Sequence, residues 1–447
     1  MDDLKISISG IRGVVGKSFT PDALLSWTAA WEKTLPKGGI ILARDARPHG
    51  EGLMQLLAGI LHYAGRKVWV AGLIPTPTVG VLIRSHQAAG GVMLTASHNP
   101  LEWNALKFFN SQGLILSPGE YSILEPAWNQ PPGLNEAAYT PGGSLEILDD
   151  PLRDHIDLLF RQVDPAGIRS RKFKVAVDGC RSVGGRALPR VLREAGVEVI
   201  ELDTEPDGRF TRGLEPLPEN LGQLGKVVQE NQADLGMAVD PDADRLALVS
   251  EKGIPVGEEY TLVLAADAIL GRGGRGLAAN LSSTLVLDAV AAKHKTEMHR
   301  SKVGESHVVD LLNQTGSDIG GEGNGGVIFP KVQPGRDSLS GAILVLDLLA
   351  REGKTLSEMI ATYPPAIMVK TKFASRDGLW EDLQASAEKW WPEAKVDRLD
   401  GLKWIWKDRW IHLRPSNTEP ILRIIAEAPD LAEAQTLVQE MKKRIGI

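Results

Sequence analysis

The hexapeptide Thr95–Pro100 places a serine beside a histidine, directly after the apolar run Gly91–Leu94. A small hydroxyl residue at the end of a buried strand lies where α/β enzymes usually place their chemistry, so Ser97 is a candidate nucleophile. Such residues also form ordinary turns before a proline. The hexapeptide alone leaves both interpretations open.

A second segment carries three carboxylates at every other position, namely Asp240, Asp242 and Asp244, with Pro241 among them. Held in an irregular loop, they can converge on one hard cation through oxygen ligands. Repulsion among three anions makes little sense without a metal or cationic partner. An EF-hand is excluded, because Arg245 stands where its glycine is needed and the flanks are typical of strands. A solvated acidic turn is the alternative.

A glycine-rich segment, Gly320–Gly326, carries the polar residues Glu322 and Asn324. So many glycines imply a backbone that is strongly bent or closely approached. The segment lacks the Lys-Ser/Thr ending of a phosphate-binding Walker loop. We interpret Glu322 and Asn324 as suited to binding hydroxyl groups, and a flexible turn is the alternative.

The loop Arg414–Pro420 combines a guanidinium, two hydroxyls and an amide within a few residues. Together with backbone N–H groups, these are the ingredients of a phosphate clamp. The candidate phosphate ligands are Arg414, Ser416, Asn417 and Thr418.

Two further cations lie in unusual surroundings. Arg12 stands among three glycines in Ser7–Gly16, which suits a sharply bent loop that exposes one cation, but read alone the segment favours a plain turn with a solvated arginine. Lys107 lies among apolar residues of the predicted strand Asn104–Phe109. Such a lysine usually extends its ammonium to water. The alternative is a lysine whose desolvation lowers its pKa for acid/base work.

Alternating strands and helices must position these loops. Thr20 and Pro21 predict the start of the first helix. From there the pattern predicts mostly parallel sheets with helices on both faces, whose ligands bind at the carboxyl ends of the strands. The main predicted strands are 40–43, 67–71, 91–94, 174–177, 198–202, 236–239 and 277–280. A separate tail has strands near 368–373, 404–406, 410–413 and 421–426, and its tryptophans 404, 406 and 410 are predicted to pack in the core or in a hairpin.

The composition is that of an ordinary globular protein of 447 residues, with 43% hydrophobic and 24% charged residues. The net charge of −7 argues against a nucleic acid or an anionic membrane as partner. A single cysteine, Cys180, excludes an intramolecular disulfide and favours a reducing compartment. Without a signal-like start or a long apolar run, the sequence predicts a cytoplasmic protein.

Four of these loops, in this order, resemble the motifs of the α-D-phosphohexomutase superfamily. Thr95–Pro100 is similar to its phosphoserine loop and Asp240–Arg245 to its magnesium loop. Gly321–Gly326 resembles the sugar-binding loop and Arg414–Pro420 the phosphate-binding loop. The set spans most of the chain and is highly specific when taken together.

The resemblance implies an α/β, four-domain, heart-shaped architecture: three related α/β domains and a smaller α+β C-terminal domain around one cleft. We expect the phosphoserine loop in domain 1–148, the metal loop in 149–250, the sugar loop in 251–364 and the phosphate loop in 365–447. The expected state is a monomer or a homodimer.

The resemblance also implies roles for individual residues. Ser97 would carry a phosphoryl group and, with Asp240, Asp242 and Asp244, bind Mg²⁺. Arg12 and Arg245 would stabilise charge on the transferred phosphoryl group, and His98 and Lys107 would be acid/base candidates. The implied partner is a small sugar phosphate, whose distal phosphate and hydroxyls contact the two substrate-binding loops. Hexose 1,6-bisphosphate would be both the intermediate and the phosphorylating primer.

The sugar itself is less clearly indicated. Asn324 and Gly326 replace a serine and a histidine that are common in the sugar loop, so any role of that histidine is absent. Glu305 stands where phosphomannomutase/phosphoglucomutase relatives tend to have histidine, whereas Asn417 resembles their phosphate loop. The Ser-Gly-Ile-Arg-Gly start and the sugar loop are most similar to a bacterial branch commonly assigned to phosphoglucosamine mutase. Glucosamine phosphate is therefore slightly favoured over phosphomannomutase/phosphoglucomutase specificity. Two more remote alternatives are a non-catalytic sugar-phosphate-binding protein and a metal-dependent phosphatase.

Overall fold

The computed structural model describes residues 3–129, 140–374, 379–415 and 421–446. The chain divides into two compact units, Met1–Ala265 with Asn324–Ser357, and Ala266–Gly323 with Glu358–Ile447. Among the described residues, the helices fall short of the length and apolar character needed to cross a membrane.

The first unit contains a sheet of seven described strands in the order β1-β2-β6-β5-β3-β4-β7. Side chains alternate across this sheet, so Ile40 and Leu42 pack in one apolar cluster while Ile41 and Ala43 pack in another. Helices therefore cover both faces, as predicted. The strands are β1 (Leu4–Ser7), β2 (Gly10–Val14), β3 (Ile40–Arg44), β4 (Lys67–Leu73), β5 (Gly90–Leu94), β6 (Trp103–Phe109) and β7 (Ser144–Ile147).

The prediction of a mostly parallel sheet is wrong for this part of the chain. Strand β3 pairs in parallel with β4 and β5, and β4 with β7, but the pairs β5-β6, β6-β2 and β2-β1 are antiparallel. The physical reason is the connection after β5. It is a loop with no crossover helix, and a parallel partner needs a crossover of a dozen residues or more.

Helix α1 begins where predicted, because the Thr20 hydroxyl accepts a hydrogen bond from the Ala23 N–H and Pro21 fills the first helical position. Most helices of this part of the chain lie between two strands, although α5 and α6 follow each other directly. The first eight helices are α1 (Pro21–Glu32), α2 (Gly50–Tyr63), α3 (Thr76–Ser85), α4 (Pro118–Asn129), α5 (Arg153–Gln162), α6 (Ala166–Arg171), α7 (Gly184–Glu194) and α8 (Gly222–Glu230).

A second sheet in this unit has the described order β11-β10-β8-β9. Its strands β8 and β10 pair in parallel, whereas β10 and β11 form an antiparallel pair joined by the loop 240–245. Strands on both sides of this loop confirm the rejection of an EF-hand. The strands are β8 (Lys174–Asp178), β9 (Glu198–Leu202), β10 (Leu235–Val239) and β11 (Leu246–Ser250), and α9 (Glu259–Leu270) follows.

The second unit holds the parallel strands β12 (Leu277–Asn280), β13 (Met298–Ser301) and β14 (Ile319–Glu322), with helices α10 (Val286–Lys293) and α11 (Glu305–Thr315). The chain then returns to the first unit through the hairpin β15 (Gly326–Phe329) and β16 (Gln333–Arg336). Helix α12 (Ser338–Glu352) follows, with the Asp337 carboxylate accepting from the Leu339 N–H as its cap. The short helix α13 (Leu356–Ile360) comes next.

The C-terminal part of the second unit is an antiparallel sheet in the described order β17-β21-β20-β19-β18. Trp404 and Trp410 are fully buried, and Trp404 stacks on Trp390 with 5.6 Å between ring centroids. The prediction of a packing role for these two tryptophans is confirmed. The elements are β17 (Ile367–Ala374), α14 (Leu379–Trp390), β18 (Lys395–Asp397), β19 (Leu402–Ile405), β20 (Trp410–Pro415), β21 (Ile421–Ala428) and α15 (Leu431–Ile445).

Candidate active site

Ser97 lies in the loop that follows β5, at the carboxyl end of the strand. Its backbone is left-handed, with φ of 48°, and its side chain is buried, with 7% of the residue exposed. The Ser97 N–H donates to the Thr95 hydroxyl at 3.0 Å. A non-glycine residue is costly in this conformation, so the loop around Ser97 must supply contacts that hold it.

The Ser97 hydroxyl meets the carboxylate loop, although 143 residues separate the two along the chain. Its Oγ donates to Asp240 Oδ2 at 3.1 Å and lies 3.4 Å from His98 Nδ1. Two motifs that the sequence offered separately are therefore one site. β5 and β10 belong to different sheets, and each has a parallel partner in its own sheet. The polar loops with Ser97 and with the three aspartates follow the carboxyl ends of these two strands.

The three carboxylates converge as predicted. Asp240, Asp242 and Asp244 each offer one oxygen within 4.8 Å of the other two, and all three residues are buried. Among the described residues, Asp242 Oδ1 and Asp244 Oδ1 have no hydrogen-bond partner. Arg245 Nε lies 3.8 Å from Asp244 Oδ1, beyond hydrogen-bond distance. Buried carboxylate oxygens that accept no hydrogen bond are costly unless a cation lies close to them. The donor set, all oxygen and anionic, suits a hard cation such as Mg²⁺.

Electrostatics within the triad differ from residue to residue. Burial, together with the negative charges of Asp244 and Asp242, raises the pKa of Asp240 well above its usual range. Burial alone would also raise the pKa of Asp242, but the neighbouring Lys107 outweighs it and lowers that pKa. The triad thus contains one carboxylate that binds a proton more readily and one that is held ionised.

Lys107 on β6 is the counter-ion of the triad. The prediction that its ammonium extends to water is therefore wrong, and so is the prediction of a lowered pKa, whereas its role in acid/base chemistry stays a prediction. Lys107 does not extend to water, because only 8% of the residue is exposed. Its Nζ lies 2.6 Å from Asp242 Oδ2 and 3.6 Å from Asp244 Oδ2. Burial favours a lower pKa for Lys107, but the two carboxylates dominate and raise it. Its desolvation therefore does not make it neutral.

The predicted cations Arg12 and Arg245 and the predicted acid/base residue His98 lie at or beside the Ser97 loop and the carboxylate loop. Arg12 lies within strand β2, so the prediction of a sharply bent loop or a turn at this residue is wrong; strand pairing with β6 holds its backbone extended. Its Nη1 donates to Asn99 Oδ1, in the Ser97 loop, at 3.1 Å. Arg245 Nη1 and His98 Nε2 both approach Glu215 Oε1, at 3.0 and 3.5 Å. Burial, followed by the positive charge of Arg245, lowers the pKa of His98 to about 4. His98 is therefore neutral at pH 7, where it can accept a proton only as a weak base.

Sequence reasoning missed several residues that complete this site. Arg336, the last residue of β16, donates to Asp244 Oδ2 at 2.7 Å, and the Thr76 hydroxyl donates to Asp242 Oδ2 at 2.6 Å. Glu215 bridges Arg245 and His98 as described above. The available signal was positional: Arg336 ends a strand directly before a helix cap, and Thr76 opens a helix after a strand. The local sequence around Arg336 and Thr76 does not indicate which carboxylate each of them contacts.

The backbone of the carboxylate loop is held by donors from three other segments. The Thr76 N–H donates to Asp242 O at 2.9 Å, the Ser182 hydroxyl to Pro241 O at 2.5 Å, and the Ser338 hydroxyl to Ala243 O at 2.6 Å. Because the loop carbonyls are satisfied in this way, the side-chain carboxylates are pre-positioned rather than free to rearrange.

The predicted substrate-binding residues are distributed over both units. Glu322, in the second unit, is buried, and its Oε1 accepts from Asn280 Nδ2 and from the Gly304 N–H, each at 3.0 Å. Arg414 Nε lies 3.8 Å from Asp400 Oδ2 in the same unit. In the first unit, Asn324 Oδ1 accepts from the Gly326 N–H at 3.2 Å. Ser416, Asn417 and Thr418 lie outside the described residues.

Comparison with known families covers nearly the whole chain. Residues 4–130, 153–253 and 257–367 match the phosphoglucomutase/phosphomannomutase alpha/beta/alpha domains I, II and III. Residues 368–444 match the C-terminal domain of the same family.

Individual relatives agree with these matches. The chain is 35% identical to a Methanopyrus kandleri protein named "Probable phosphoglucosamine mutase", over 97% of this chain and 95% of the relative. It is 33% identical to a phosphoglucomutase/phosphomannomutase of Thermococcus kodakarensis, over 96% of each. A crystal structure of a phosphoglucomutase/phosphomannomutase family protein from Burkholderia thailandensis superposes with a TM-score of 0.85 at 26% identity, covering 98% and 97% of the two chains. The chain therefore belongs to the phosphoglucomutase/phosphomannomutase family of phosphohexomutases and is built from that family's four domains.

Proposed function

We propose that this protein is a Mg²⁺-dependent phosphohexomutase that interconverts hexose 6-phosphate and hexose 1-phosphate through a phosphoserine at Ser97. One observation carries the proposal: the Ser97 hydroxyl lies 3.1 Å from Asp240, within a buried carboxylate triad whose counter-ion is Lys107. A protein that only binds sugar phosphates needs neither a nucleophile nor this buried charge.

The proposed reaction consists of two phosphoryl transfers in opposite directions. In the first, a hydroxyl of the bound hexose monophosphate attacks the phosphorus of the phosphorylated Ser97, the bond from phosphorus to Ser97 Oγ breaks, and hexose 1,6-bisphosphate forms. A proton leaves the sugar hydroxyl, and a proton arrives at Ser97 Oγ. The bisphosphate then reorients by a half-turn in the site. In the second transfer these steps run in reverse with the other phosphate, which returns to Ser97 Oγ. Added hexose 1,6-bisphosphate primes the unphosphorylated enzyme by the same chemistry.

The residues around Ser97 suit these proton and charge movements. His98 is neutral at pH 7 and lies 3.4 Å from Ser97 Oγ, so it is a candidate proton acceptor. Lys107 is charged and is a candidate donor. Arg12 and Arg245 supply positive charge for the phosphoryl oxygens, whose charge must be stabilised in a loose transition state.

Asp240, Asp242 and Asp244, with the phosphorylated Ser97, are the proposed ligands of Mg²⁺. When bound, the ion supplies further positive charge to the phosphoryl group in transit. Asp242 Oδ1 and Asp244 Oδ1, which accept no hydrogen bond among the described residues, would then gain a metal cation as partner.

The predicted substrate-binding residues are proposed to contact the sugar ring and the phosphate farther from Ser97. Glu322 and Asn324 would contact ring hydroxyls, and the loop at 414–418 would hold the distal phosphate through Arg414, Ser416, Asn417 and Thr418. Such contacts work for either orientation of the bisphosphate, because the distal group is a phosphate in both. The domain limits 148/149, 250/251 and 364/365, the cytoplasmic location, and the monomeric or homodimeric state remain predictions.

We propose glucosamine phosphate as the preferred substrate, with phosphomannomutase/phosphoglucomutase specificity as the alternative. Relatives carry both names: the M. kandleri protein is named for phosphoglucosamine, and the T. kodakarensis protein for glucose and mannose phosphates. The sequence support is the chain start and the sugar loop, which are most similar to the phosphoglucosamine mutase branch. Glu322 Oε1 already accepts from Asn280 Nδ2 and the Gly304 N–H, and an amino group of the sugar would be attracted to this carboxylate more strongly than a hydroxyl would.

The substrate proposal predicts a clear ranking of sugars. With Mg²⁺ and a bisphosphate primer, kcat/KM for glucosamine 1-phosphate should exceed that for the glucose, mannose and N-acetylglucosamine 1-phosphates by about tenfold, near 1.4 kcal/mol in transition-state binding. The Glu322→Gln variant keeps the shape of the side chain but removes its charge, and it should reduce this preference. Steady-state kinetics on the four sugars with both proteins provides the measurement.

Other rankings would correct the proposal in defined ways. A preference for glucose and mannose phosphates in the wild-type protein would establish the alternative specificity. Release of phosphate to water as the main product would indicate a phosphatase. A folded, primed protein that turned over none of the four sugars would instead support the sugar-phosphate-binding interpretation.

A further inference from the structure

We propose that Arg47 is a positioning residue for phosphoryl transfer, one that holds the Ser97 loop in the conformation that directs Oγ at Asp240. This inference rests on the proposed function, since it concerns the same nucleophile. Arg47 follows β3, and the loop it contacts follows β5, the parallel neighbour of β3 in the sheet.

Arg47 is fully buried, and its side-chain donors point at the backbone of the Ser97 loop. Nη2 donates to Ser97 O at 2.8 Å and to Asn99 O at 2.6 Å. Nη1 donates to Pro100 O at 2.7 Å and to Trp103 O at 3.1 Å. One guanidinium therefore satisfies four carbonyls, three in the Ser97 loop and one at Trp103, the first residue of β6. Lysine cannot reproduce this planar set of donors.

The remaining donors of Arg47 connect it to a second arm of the same network. Its Nε lies 3.2 Å from Asp45 Oδ2, and its backbone N–H donates to Asp45 Oδ1 at 3.0 Å. Asp45 Oδ2 accepts from the Thr95 hydroxyl at 2.7 Å, and that hydroxyl accepts from the Ser97 N–H at 3.0 Å. Arg47 thus acts on the carbonyl side of Ser97 directly and on its N–H side through Asp45 and Thr95.

This arrangement explains how Ser97 stays in its left-handed conformation. A φ of 48° is costly for serine and persists only when surrounding contacts determine it. The same loop presents Asn99, whose side chain accepts from Arg12. Loss of Arg47 would therefore displace the nucleophile and one of the phosphate-facing cations together, while leaving the reacting groups chemically intact.

The test compares Arg47→Lys with wild-type protein, each primed with hexose 1,6-bisphosphate. Misplacement of a reacting group by about 1 Å costs roughly a hundredfold in rate, so we expect kcat to fall about 100-fold with KM changed less than about threefold. Transfer from a radiolabelled phosphoserine should shift from the sugar towards water, because a displaced phosphoryl group is poorly aligned with the sugar hydroxyl. Purely structural damage would lower the amount of active protein without changing this partition.

Arg84→Lys is the matched control. Arg84 is a partly buried arginine that, like Arg47, donates to a backbone carbonyl, Val332 O at 2.6 Å; it also donates to Gln333 Oε1 at 2.7 Å. These partners belong to the β15-β16 hairpin rather than to the Ser97 loop. Arg84→Lys should keep the wild-type ratio of phosphoryl transfer to sugar over transfer to water, even if its melting temperature falls. In Arg47→Ala, millimolar guanidinium should restore part of kcat.

Thr95→Val tests the second arm and covers the case in which the Arg47 variants fail to fold. It removes one hydroxyl with almost no change in shape, and we expect kcat to fall about tenfold with the same shift towards water. Wild-type kcat and partition in folded Arg47→Lys, or in Thr95→Val where Arg47→Lys does not fold, would overturn the inference. Failure of the proposed function is distinguishable, because the wild-type protein itself would then lack turnover.

Discussion

Replacing Ser97 with alanine is expected to lower mutase turnover at least about 1,000-fold, because the group that accepts and returns the phosphoryl group is lost. The fold should survive. The Ser97→Ala substitution removes one hydrogen bond to Asp240 and keeps the backbone contacts of the loop with Thr95 and Arg47. Turnover with glucosamine 1-phosphate, together with a thermal melt, measures both expectations.

Ser250→Ala is the matched control for this experiment. Ser250 is equally buried and ends β11, but it pairs with Leu235 at the start of β10, so it lies at the end of that strand pair opposite the carboxylate loop. This variant should retain wild-type turnover. Intact mass after incubation with hexose 1,6-bisphosphate gives a second readout: one phosphate on the wild-type protein and on Ser250→Ala, none on Ser97→Ala. Near-normal turnover by Ser97→Ala would exclude the phosphoserine mechanism.

Local sequence was sufficient to predict most of the elements. Thr20 and Pro21 marked the start of α1 because capping depends on a few adjacent residues. The apolar run before Thr95 marked β5 because a strand buried on both faces carries little else. The direction of pairing was predicted less well, since β6 runs antiparallel to β5 and β2. Pairing direction depends on the connection and on the partner strand, and a single strand's sequence carries neither.

The site shows the same division between local and tertiary information. Ser97 and the three aspartates could be predicted because each motif is compact in sequence, whereas the contacts that Arg47, Thr76 and Arg336 make could not. Their importance lies in the partners that the fold supplies. Lys107 shows this most clearly: burial alone favours a lower pKa, and only its contact with Asp242 and Asp244 reverses the direction.

Replacing Asp244 with asparagine is expected to weaken Mg²⁺ binding at least about 100-fold and to lower kcat in proportion at limiting Mg²⁺. The substitution removes one of three converging charges and one of the two buried oxygens that have no hydrogen-bond partner among the described residues. A ligand present at about a hundredfold excess over its Kd stabilises the native state by about 2.7 kcal/mol. Wild-type protein should therefore melt at a higher temperature with Mg²⁺ than with a chelator, and Asp244→Asn should lose this difference at the same Mg²⁺ concentration.

Asp347→Asn separates metal binding from the general effect of removing a buried carboxylate. Asp347 is buried on α12 and pairs with Arg351 at 3.1 Å, with no part in the triad. It should change the melting temperature equally with and without Mg²⁺, because the difference between the two conditions depends only on groups that contact the ion. If Asp244→Asn kept the full wild-type Mg²⁺ shift and chelation left turnover unchanged, the triad would have to be balanced by Lys107, Arg245 and Arg336 alone. Its function would then be to hold these cations around the phosphoryl group rather than to bind a metal.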